Sequence, residues 1–189
     1  MGIADYNEIL AFWFAGEADK SRAEWFRKDP AFDAQIRGRF GDTFESAARK
    51  ELDGWRNAPL SMLALIIVLD QFSRNLLRND PRVFAQDGYA LACARQAIAR
   101  GDESVLKPTQ RQFLYLPFEH SEDMADQDRA VELMRQLEAW PETKGLVVWA
   151  EKHRDIVKRF GRFPHRNAVV GRPSTPEETE FLKQPGSGF

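Results

Sequence analysis

Hydrophobic residues recur at the spacing of an α-helix along almost the whole chain, and no segment sustains the alternating pattern of a strand. The first such stretch covers 6–14 and places Ile9, Leu10, Trp13 and Phe14 on one face. Short connections between the stretches favour antiparallel neighbours, so the pattern predicts an all-α array of antiparallel helical hairpins. About nine helices are predicted, over 6–14, 30–40, 43–55, 59–77, 81–100, 109–123, 126–140, 146–160 and 176–183, with a shorter helical piece at 21–28.

Local signals mark the ends of these helices. Asp29-Pro30 and Asp80-Pro81 each combine an N-cap residue with a proline at the first helical position. The four residues 175–178 form a capping box at the start of the last helix. Gly41 is expected to break one helix, and Pro117 is expected to interrupt and kink another because proline has no backbone N–H.

Length and charge narrow the class of protein. With 189 residues the chain is expected to form one domain, 1–189, with 184–189 as a mobile tail. The net charge of −2 favours neither nucleic acid nor a membrane as partner. Cys93 is the sole cysteine and is expected to be a small buried hydrophobe. No secretory signal is predicted at residues 1–5. The longest apolar run, 62–69, is too short to span a bilayer. A cytoplasmic protein is therefore predicted.

The apolar helix that begins at Pro59 turns polar along one line after Leu69. Asp70 and Arg74 lie one turn apart on this line. A buried charge without a partner is strongly unfavourable. The two side chains are therefore expected either to pair as a structural link between helices or to reach into a polar pocket.

In the sequence, acidic residues both precede and follow His120. His120 shares the core-facing line of its helix with Phe113 and Leu116, and Glu119 precedes it directly. A histidine beside a carboxylate can act as a general base, because the acid orients the imidazole and favours its protonated form. The alternative is a core histidine that is hydrogen-bonded to a neighbour. The spacing matches no strong metal-binding motif, so no metal and no cofactor are expected.

Basic residues are concentrated in the segment 152–172. His153 shares a helix face with Ile156 and Phe160, so its side chain is expected to point inward. Arginines then alternate with aromatic residues over 160–167, an arrangement suited to carboxylate or phosphate recognition. This segment also resembles a weak surface for single-stranded nucleic acid. The alternative is internal pairing with the acidic stretch 119–128.

All three histidines lie in these two segments, so one shared pocket is a hypothesis. The predicted function is a binding module for a small anionic ligand or an acidic peptide, and its candidate residues are Arg74, His153, Arg162, Arg166 and Asn167. The alternative is a metal-independent hydrolase or transferase, with His120 or His165 as general base and Asp70 or Glu119 as the orienting acid. A structural or interaction protein without a small-molecule site is the third hypothesis. The sequence leaves the oligomeric state open.

Four segments of the chain resemble the signature segments of the bacterial domain of unknown function 924 family. They include Leu-Asp-Gln-Phe-Ser-Arg-Asn at 69–75 and Phe-Gly-Arg-Phe-Pro-His-Arg-Asn at 160–167, together with 113–122 and 171–175. The family has proline where this chain has Ser73, a change expected to matter little on a helix surface. The resemblance implies a tetratricopeptide-like array, although no repeat of that kind is visible in the sequence. It implies no particular activity, cofactor or catalytic residue.

Overall fold

The computed structural model describes residues 2–17 and 20–188, and within them the regular structure is helical without a strand. The predicted all-α class is confirmed. A π-helical turn, Ile67–Phe72, joins two α-helices into one continuous run. The α-helices of the described residues are α1 (Tyr6–Phe14), α2 (Pro30–Ala48), α3 (Pro59–Ile66), α4 (Ser73–Leu76), α5 (Asp87–Arg100), α6 (Pro108–Glu119), α7 (Met124–Gln136), α8 (Leu146–Phe160) and α9 (Pro176–Phe181).

Helix α3 lies at the centre of the packing. It contacts α1, α5 and α6, while α2 packs on α4 and on the π-helical turn. In the second half of the chain each helix packs on the next, α5 on α6, α6 on α7 and α7 on α8. This succession is the one that helical hairpins produce. The tetratricopeptide-like arrangement implied by the family resemblance stays a prediction.

Aromatic side chains fill the core around α1. The indole of Trp13 is 1 % exposed and contacts the rings of Trp25, Phe32, Phe72 and Phe113, with centroids 5.4 to 6.1 Å apart. Aromatic pairs at such distances contribute roughly 0.5–1.5 kcal/mol each beyond the burial of their surface. The predicted apolar face of the first helix is therefore the face that is buried in the core.

Helix α2 is longer than the sequence predicts. The expected break at Gly41 is wrong, because α2 continues to Ala48, and a short 3₁₀ turn, Asp53–Asn57, follows in place of the predicted helix 43–55. One buried stripe runs through both halves of α2 and consists of Phe32, Ile36, Phe40 and Phe44. Burying this continuous stripe outweighs the low helix propensity of one glycine.

The uninterrupted helix leads to a prediction about stability. Gly38 is exposed in the interior of α2, and a Cβ atom there would meet no atom within 4 Å. We expect Gly38→Ala to raise the free energy of unfolding by about 0.5–1 kcal/mol, because alanine loses less backbone entropy in a helix. Chemical denaturation followed by circular dichroism measures this change.

The control for this experiment is Gly101→Ala. Gly101 ends α5 with a φ of 81°, where a Cβ atom is strained, so this variant is expected to be less stable than the wild type. A loss of stability in Gly38→Ala would show that α2 is not a continuous helix.

Pro117 lies inside α6 without interrupting it. The predicted interruption at this proline is wrong, since α6 continues through Pro117 and ends at Glu119. The predicted kink stays a prediction. Proline here removes one hydrogen bond close to the helix end, where few further turns depend on it. Asp123, predicted to belong to the same helix, is instead the N-cap of α7, which begins at Met124.

The other boundary signals agree with the structure. The Asp29 carboxylate accepts hydrogen bonds from the first backbone N–H groups of α2, and Thr175 forms the predicted capping box of α9. Asp80 caps a 3₁₀ turn, Pro81–Phe84, so the helix predicted to begin at 81 is wrong in its start, since α5 begins only at Asp87. Cys93 is fully buried, and burial raises the pKa of its thiol to about 11, as expected for a packing residue.

Within the described residues no helix is long and apolar enough to cross a membrane. The cytoplasmic location, the single domain 1–189 and the mobility of the tail 184–189 stay predictions. Met1 and Phe189, which belong to the predictions about the two chain ends, lie outside the described residues.

Candidate functional site

The π-helical turn places the side chain of Asp70 in the protein interior. Asp70 is 0 % exposed, so the protein itself must provide the partners of its carboxylate. Oδ1 lies 2.7 Å from His120 Nδ1, and Oδ2 accepts a hydrogen bond of 2.6 Å from Gln71 Nε2. Arg74 Nη2 approaches Oδ1 at 3.7 Å. Since π-helical turns occur frequently at functional sites, the position of Asp70 is a first indication of one.

The charges around Asp70 determine its ionisation and the orientation of His120. Burial alone would raise the pKa of Asp70, but His120 and Arg74 hold that pKa below its usual range. The ionised carboxylate can only accept a hydrogen bond, so His120 Nδ1 donates to it, and in the tautomer with its one hydrogen on Nδ1 the lone pair is on Nε2. His120 lines a surface cavity, and no described residue forms a hydrogen bond with its Nε2. The pair therefore places an imidazole of fixed orientation in the cavity wall.

A second carboxylate, Asp87 at the start of α5, holds two arginines beside this cavity. Arg74 donates to both of its oxygens, at 2.5 and 2.9 Å. Arg166 Nη1 donates to Oδ2 at 3.2 Å. Two guanidinium groups thus share one carboxylate. Through Arg74, which approaches both acids, the network also reaches Asp70 and His120 and joins three distant parts of the sequence.

Arg166 leaves most of its hydrogen-bonding capacity unused. Its guanidinium lies between the rings of Phe84 and Phe163, 4.4 and 4.6 Å from their centroids, and the residue is 8 % exposed. Of its five N–H donors, the described residues receive only the bond to Asp87, and Nε is buried without a partner among them. Burial lowers the pKa of Arg166 to about 10, so the group stays cationic at neutral pH.

The cavity itself has a volume of about 310 Å³ and a mixed wall. This volume is at the lower end of the range of small-molecule pockets. The ionisable residues of the wall are Asp87, His120, Glu122, Arg166 and Arg172. The large apolar residues of the wall are Phe84, Leu91 and Val170.

Arg172, unlike Arg166, forms several hydrogen bonds within the protein. It donates to both oxygens of Glu122, at 2.6 and 2.8 Å, and its Nε donates to Asn167 Oδ1 at 3.0 Å. Glu122 also accepts a hydrogen bond from the backbone N–H of Phe163 at 2.8 Å. This pairing agrees with the internal neutralisation that the acidic stretch 119–128 suggested, and it leaves Arg166 as the cavity arginine with open donors among the described residues.

A second acid–histidine pair lies behind His120. Glu119 Oε1 is 3.1 Å from His153 Nδ1, and the rings of His120 and His153 are 6.3 Å apart. Burial raises the pKa of Glu119 to about 8, and the negative charge of Asp70 adds to this effect. Burial lowers the pKa of His153 to about 3. Both groups are therefore neutral at pH 7 and form no ion pair, and His153 Nδ1 donates its hydrogen to the Trp149 carbonyl at 2.9 Å.

The raised pKa of Glu119 makes the stability of the fold depend on pH. The folded protein keeps a proton on Glu119 that the unfolded chain releases above the ordinary pKa of 4.5, so the contribution of Glu119 to the free energy of unfolding falls as the pH rises from about 4.5 to about 8. Glu119→Gln resembles the protonated acid and cannot ionise. We expect the variant to gain stability relative to the wild type as the pH rises through this window, as thermal melts across it would measure.

A suitable control is Glu8→Gln, which alters an exposed acid on α1 and is expected to leave the pH slope unchanged. If the difference in Tm between Glu119→Gln and the wild type stayed constant across the window, Glu119 would not be the neutral acid described above.

Four of the five binding candidates from the sequence do not line the cavity. Arg162 forms a two-point ion pair with Glu178, at 2.6 and 2.8 Å. Asn167 Nδ2 donates to the same carboxylate at 3.2 Å and to Ser174 Oγ at 3.1 Å. The prediction that they bind a ligand therefore finds no geometric support, because both hold α9 to the loop before it. The other candidates, Arg74 and His153, lie behind the cavity wall and support Asp87 and Glu119.

His165 is likewise absent from the cavity wall. Its ring contacts that of Phe163, with centroids 5.6 Å apart, and burial lowers its pKa to about 4, so it is neutral at pH 7. Of the three histidines, His120 faces the cavity and His153 lies directly behind it. The cavity wall brings together His120 and Arg166 of the 164–172 loop, while Asp70 is buried behind His120 and His165 lies elsewhere. That these residues form one functional pocket stays a prediction.

Three features of the site lie beyond what sequence reasoning predicts. Asp87 looks like an ordinary acidic residue in the first turn of a helix, and only the packing of α5 places it between two arginines. Arg74 bonds to Asp87 more closely than to Asp70, the partner that the sequence suggests. Ser73 is fully buried and its Oγ donates to the Asp70 carbonyl at 2.8 Å, so its predicted place on a helix surface is wrong.

Comparison with known proteins identifies the family of this chain. The family model described as "Bacterial protein of unknown function (DUF924)" matches residues 9–186. The chain belongs to the DUF924 family. This DUF924 member is similar to the solved structure of ATU0120, a protein of unknown function from Agrobacterium tumefaciens, with 45% identity and a TM-score of 0.84 over 94% of this chain and 96% of that one. No curated protein matches the chain.

Proposed function

We propose that this DUF924 protein binds a small anionic molecule in the cavity beside His120. The observation that carries the proposal is the guanidinium of Arg166, which is nearly buried and gives one of its five N–H donors to the described residues. A buried donor without an acceptor is unfavourable by about 1–3 kcal/mol. A bound carboxylate or phosphate would provide acceptors in the planar, two-point geometry that arginine prefers.

The neighbours of Arg166 support an anion at this place. Asp87 is shared with Arg74, so one carboxylate faces two guanidinium groups. His120 lines the same cavity with a ring nitrogen that bonds to no described residue, and its protonated form could donate a further hydrogen bond. A ligand oxygen could thus contact donors from two segments of the chain.

The size and wall of the cavity favour a small molecule over an acidic peptide. A volume of about 310 Å³ suits a short carbon skeleton with one or two polar groups. Phe84, Leu91 and Val170 provide an apolar surface for that skeleton. A purely structural protein would be expected to have fully paired charges and no polar cleft, and the open donors of Arg166 argue against this alternative.

The test compares anion binding by the wild type and by Arg166→Gln. We expect phosphate or succinate to bind the wild type in calorimetry and to raise its Tm. The variant should bind at least about tenfold more weakly, because a hydrogen bond to a charged group contributes about 1.5–3 kcal/mol.

The matched control is Arg159→Gln, which removes the arginine of an exposed ion pair with Glu177 outside the cavity. Its affinity for the anion should equal that of the wild type. Equal weakening in both variants would indicate non-specific attraction by surface charge. No binding of either anion by the wild type would count directly against the proposal.

A further inference from the structure

We propose that the cavity is an active site in which His120 acts as general base in the hydrolysis of a small ester that carries a carboxylate. This inference rests on the proposed function, because Arg166 would bind the carboxylate that identifies the substrate. It goes beyond binding because it assigns a reaction to the Asp70–His120 pair.

The geometry of the pair is that of an oriented base. The hydrogen bond of 2.7 Å between Asp70 and His120 Nδ1 fixes the plane of the imidazole and the nitrogen that carries its hydrogen. Gln71 and Arg74 hold the carboxylate from its other sides. The remaining ring nitrogen, Nε2, belongs to a residue of the cavity wall and forms no hydrogen bond with a described residue, so in this proposal it accepts from a water molecule there. A base needs this combination of a fixed tautomer and an accessible lone pair.

The substrate class follows from the groups that surround His120. Arg166 offers open donors for a carboxylate, while Phe84 and Val170 offer an apolar wall for the carbon chain. An ester with a carboxylate at its other end would place the carboxylate on Arg166 and leave the ester group within the cavity that His120 also lines.

Water is the nucleophile in this arrangement. Ser121 is the hydroxyl-bearing residue of the cavity wall, but its Oγ donates to Asp126 at 2.7 Å, so its hydrogen is directed away from His120. Cys93 is fully buried and cannot reach the cavity. His120 therefore has no protein nucleophile to activate among the described residues of the wall, and a bound water takes that role.

The reaction then balances without another reactant. His120 Nε2 accepts a proton from water as the water oxygen forms a bond to the ester carbonyl carbon, and the carbonyl π electrons move to the carbonyl oxygen. The tetrahedral intermediate collapses with cleavage of the C–O bond to the alcohol, and the leaving oxygen takes the proton from Nε2. The products are a carboxylic acid and an alcohol, and His120 returns to its neutral form.

The decisive experiment uses two esters of para-nitrophenol, the succinate monoester and the acetate ester, with the released para-nitrophenolate followed by its absorbance. Both share a leaving group, but only the succinate monoester carries a carboxylate for Arg166. The succinate monoester also hydrolyses faster by itself, because its own carboxylate attacks the ester, so the uncatalysed rate of each ester is subtracted. After this subtraction we expect the wild type to prefer the succinate monoester. His120→Asn should lower kcat/KM for it by about 100-fold or more, the usual contribution of a general base.

Three further variants separate the roles of the residues. Arg166→Gln should reduce the preference for the succinate monoester by at least about tenfold, whereas Arg159→Gln should retain it. Asp70→Asn should lower kcat more than it changes KM, because its amide no longer fixes the hydrogen on Nδ1; Asp70 is a positioning residue. Thermal melts establish that each variant is folded.

The outcomes distinguish this inference from the proposed function. Binding of succinate that depends on Arg166, together with hydrolysis no faster than the uncatalysed rate or equal in wild type and His120→Asn, overturns the inference and leaves the binding function intact. Loss of hydrolysis in His165→Asn but not in His120→Asn also overturns it. Absence of both binding and hydrolysis removes both proposals.

Discussion

A carboxylate without contact with water must form its hydrogen bonds and ion pairs with the protein itself. Asp70 forms them with His120, Gln71 and Arg74. Removing one partner would leave part of a buried charge uncompensated, which is among the more damaging changes a fold can undergo. The hydrogen bond to Asp70 therefore fixes the position of His120 without a ligand. An imidazole held in this way is already in place when a small molecule arrives, so binding requires little reorganisation.

The basic residues of 152–172 have different roles despite their similar composition. Arg162 and Arg172 have carboxylate partners at two-point geometry and fasten the loop and α9 to the rest of the molecule. Arg166 differs because its only protein acceptor in the described residues, Asp87, is occupied on both oxygens by Arg74. Competition for carboxylate acceptors within the protein thus determines which arginine keeps open N–H donors.

Sequence reasoning predicts those features that depend on neighbours along the chain. The bounds of α1 and α8 agree with the hydrophobic period, since caps and glycine stops act locally. The break at Gly41 was wrong because burial of a stripe across two predicted helices outweighs a local preference. The candidates Asp70 and His120 follow from charge on a core-facing line. Asp87 could not be found in this way, because its significance comes from α5 packing beside a loop that lies far away in sequence.

The π-helical turn Ile67–Phe72 takes up one residue more than an α-helical turn does. Because the extra residue is accommodated within the turn, the helical segments on either side keep the orientation they would have in one continuous α-helix. Loss of one residue from the turn, with a return to α geometry, would therefore leave Arg74 beside Asp87. The side chains inside the turn would change direction instead, and Asp70 is one of them. The widened turn thus sets the direction of Asp70 toward His120 independently of the Arg74–Asp87 pair that follows it.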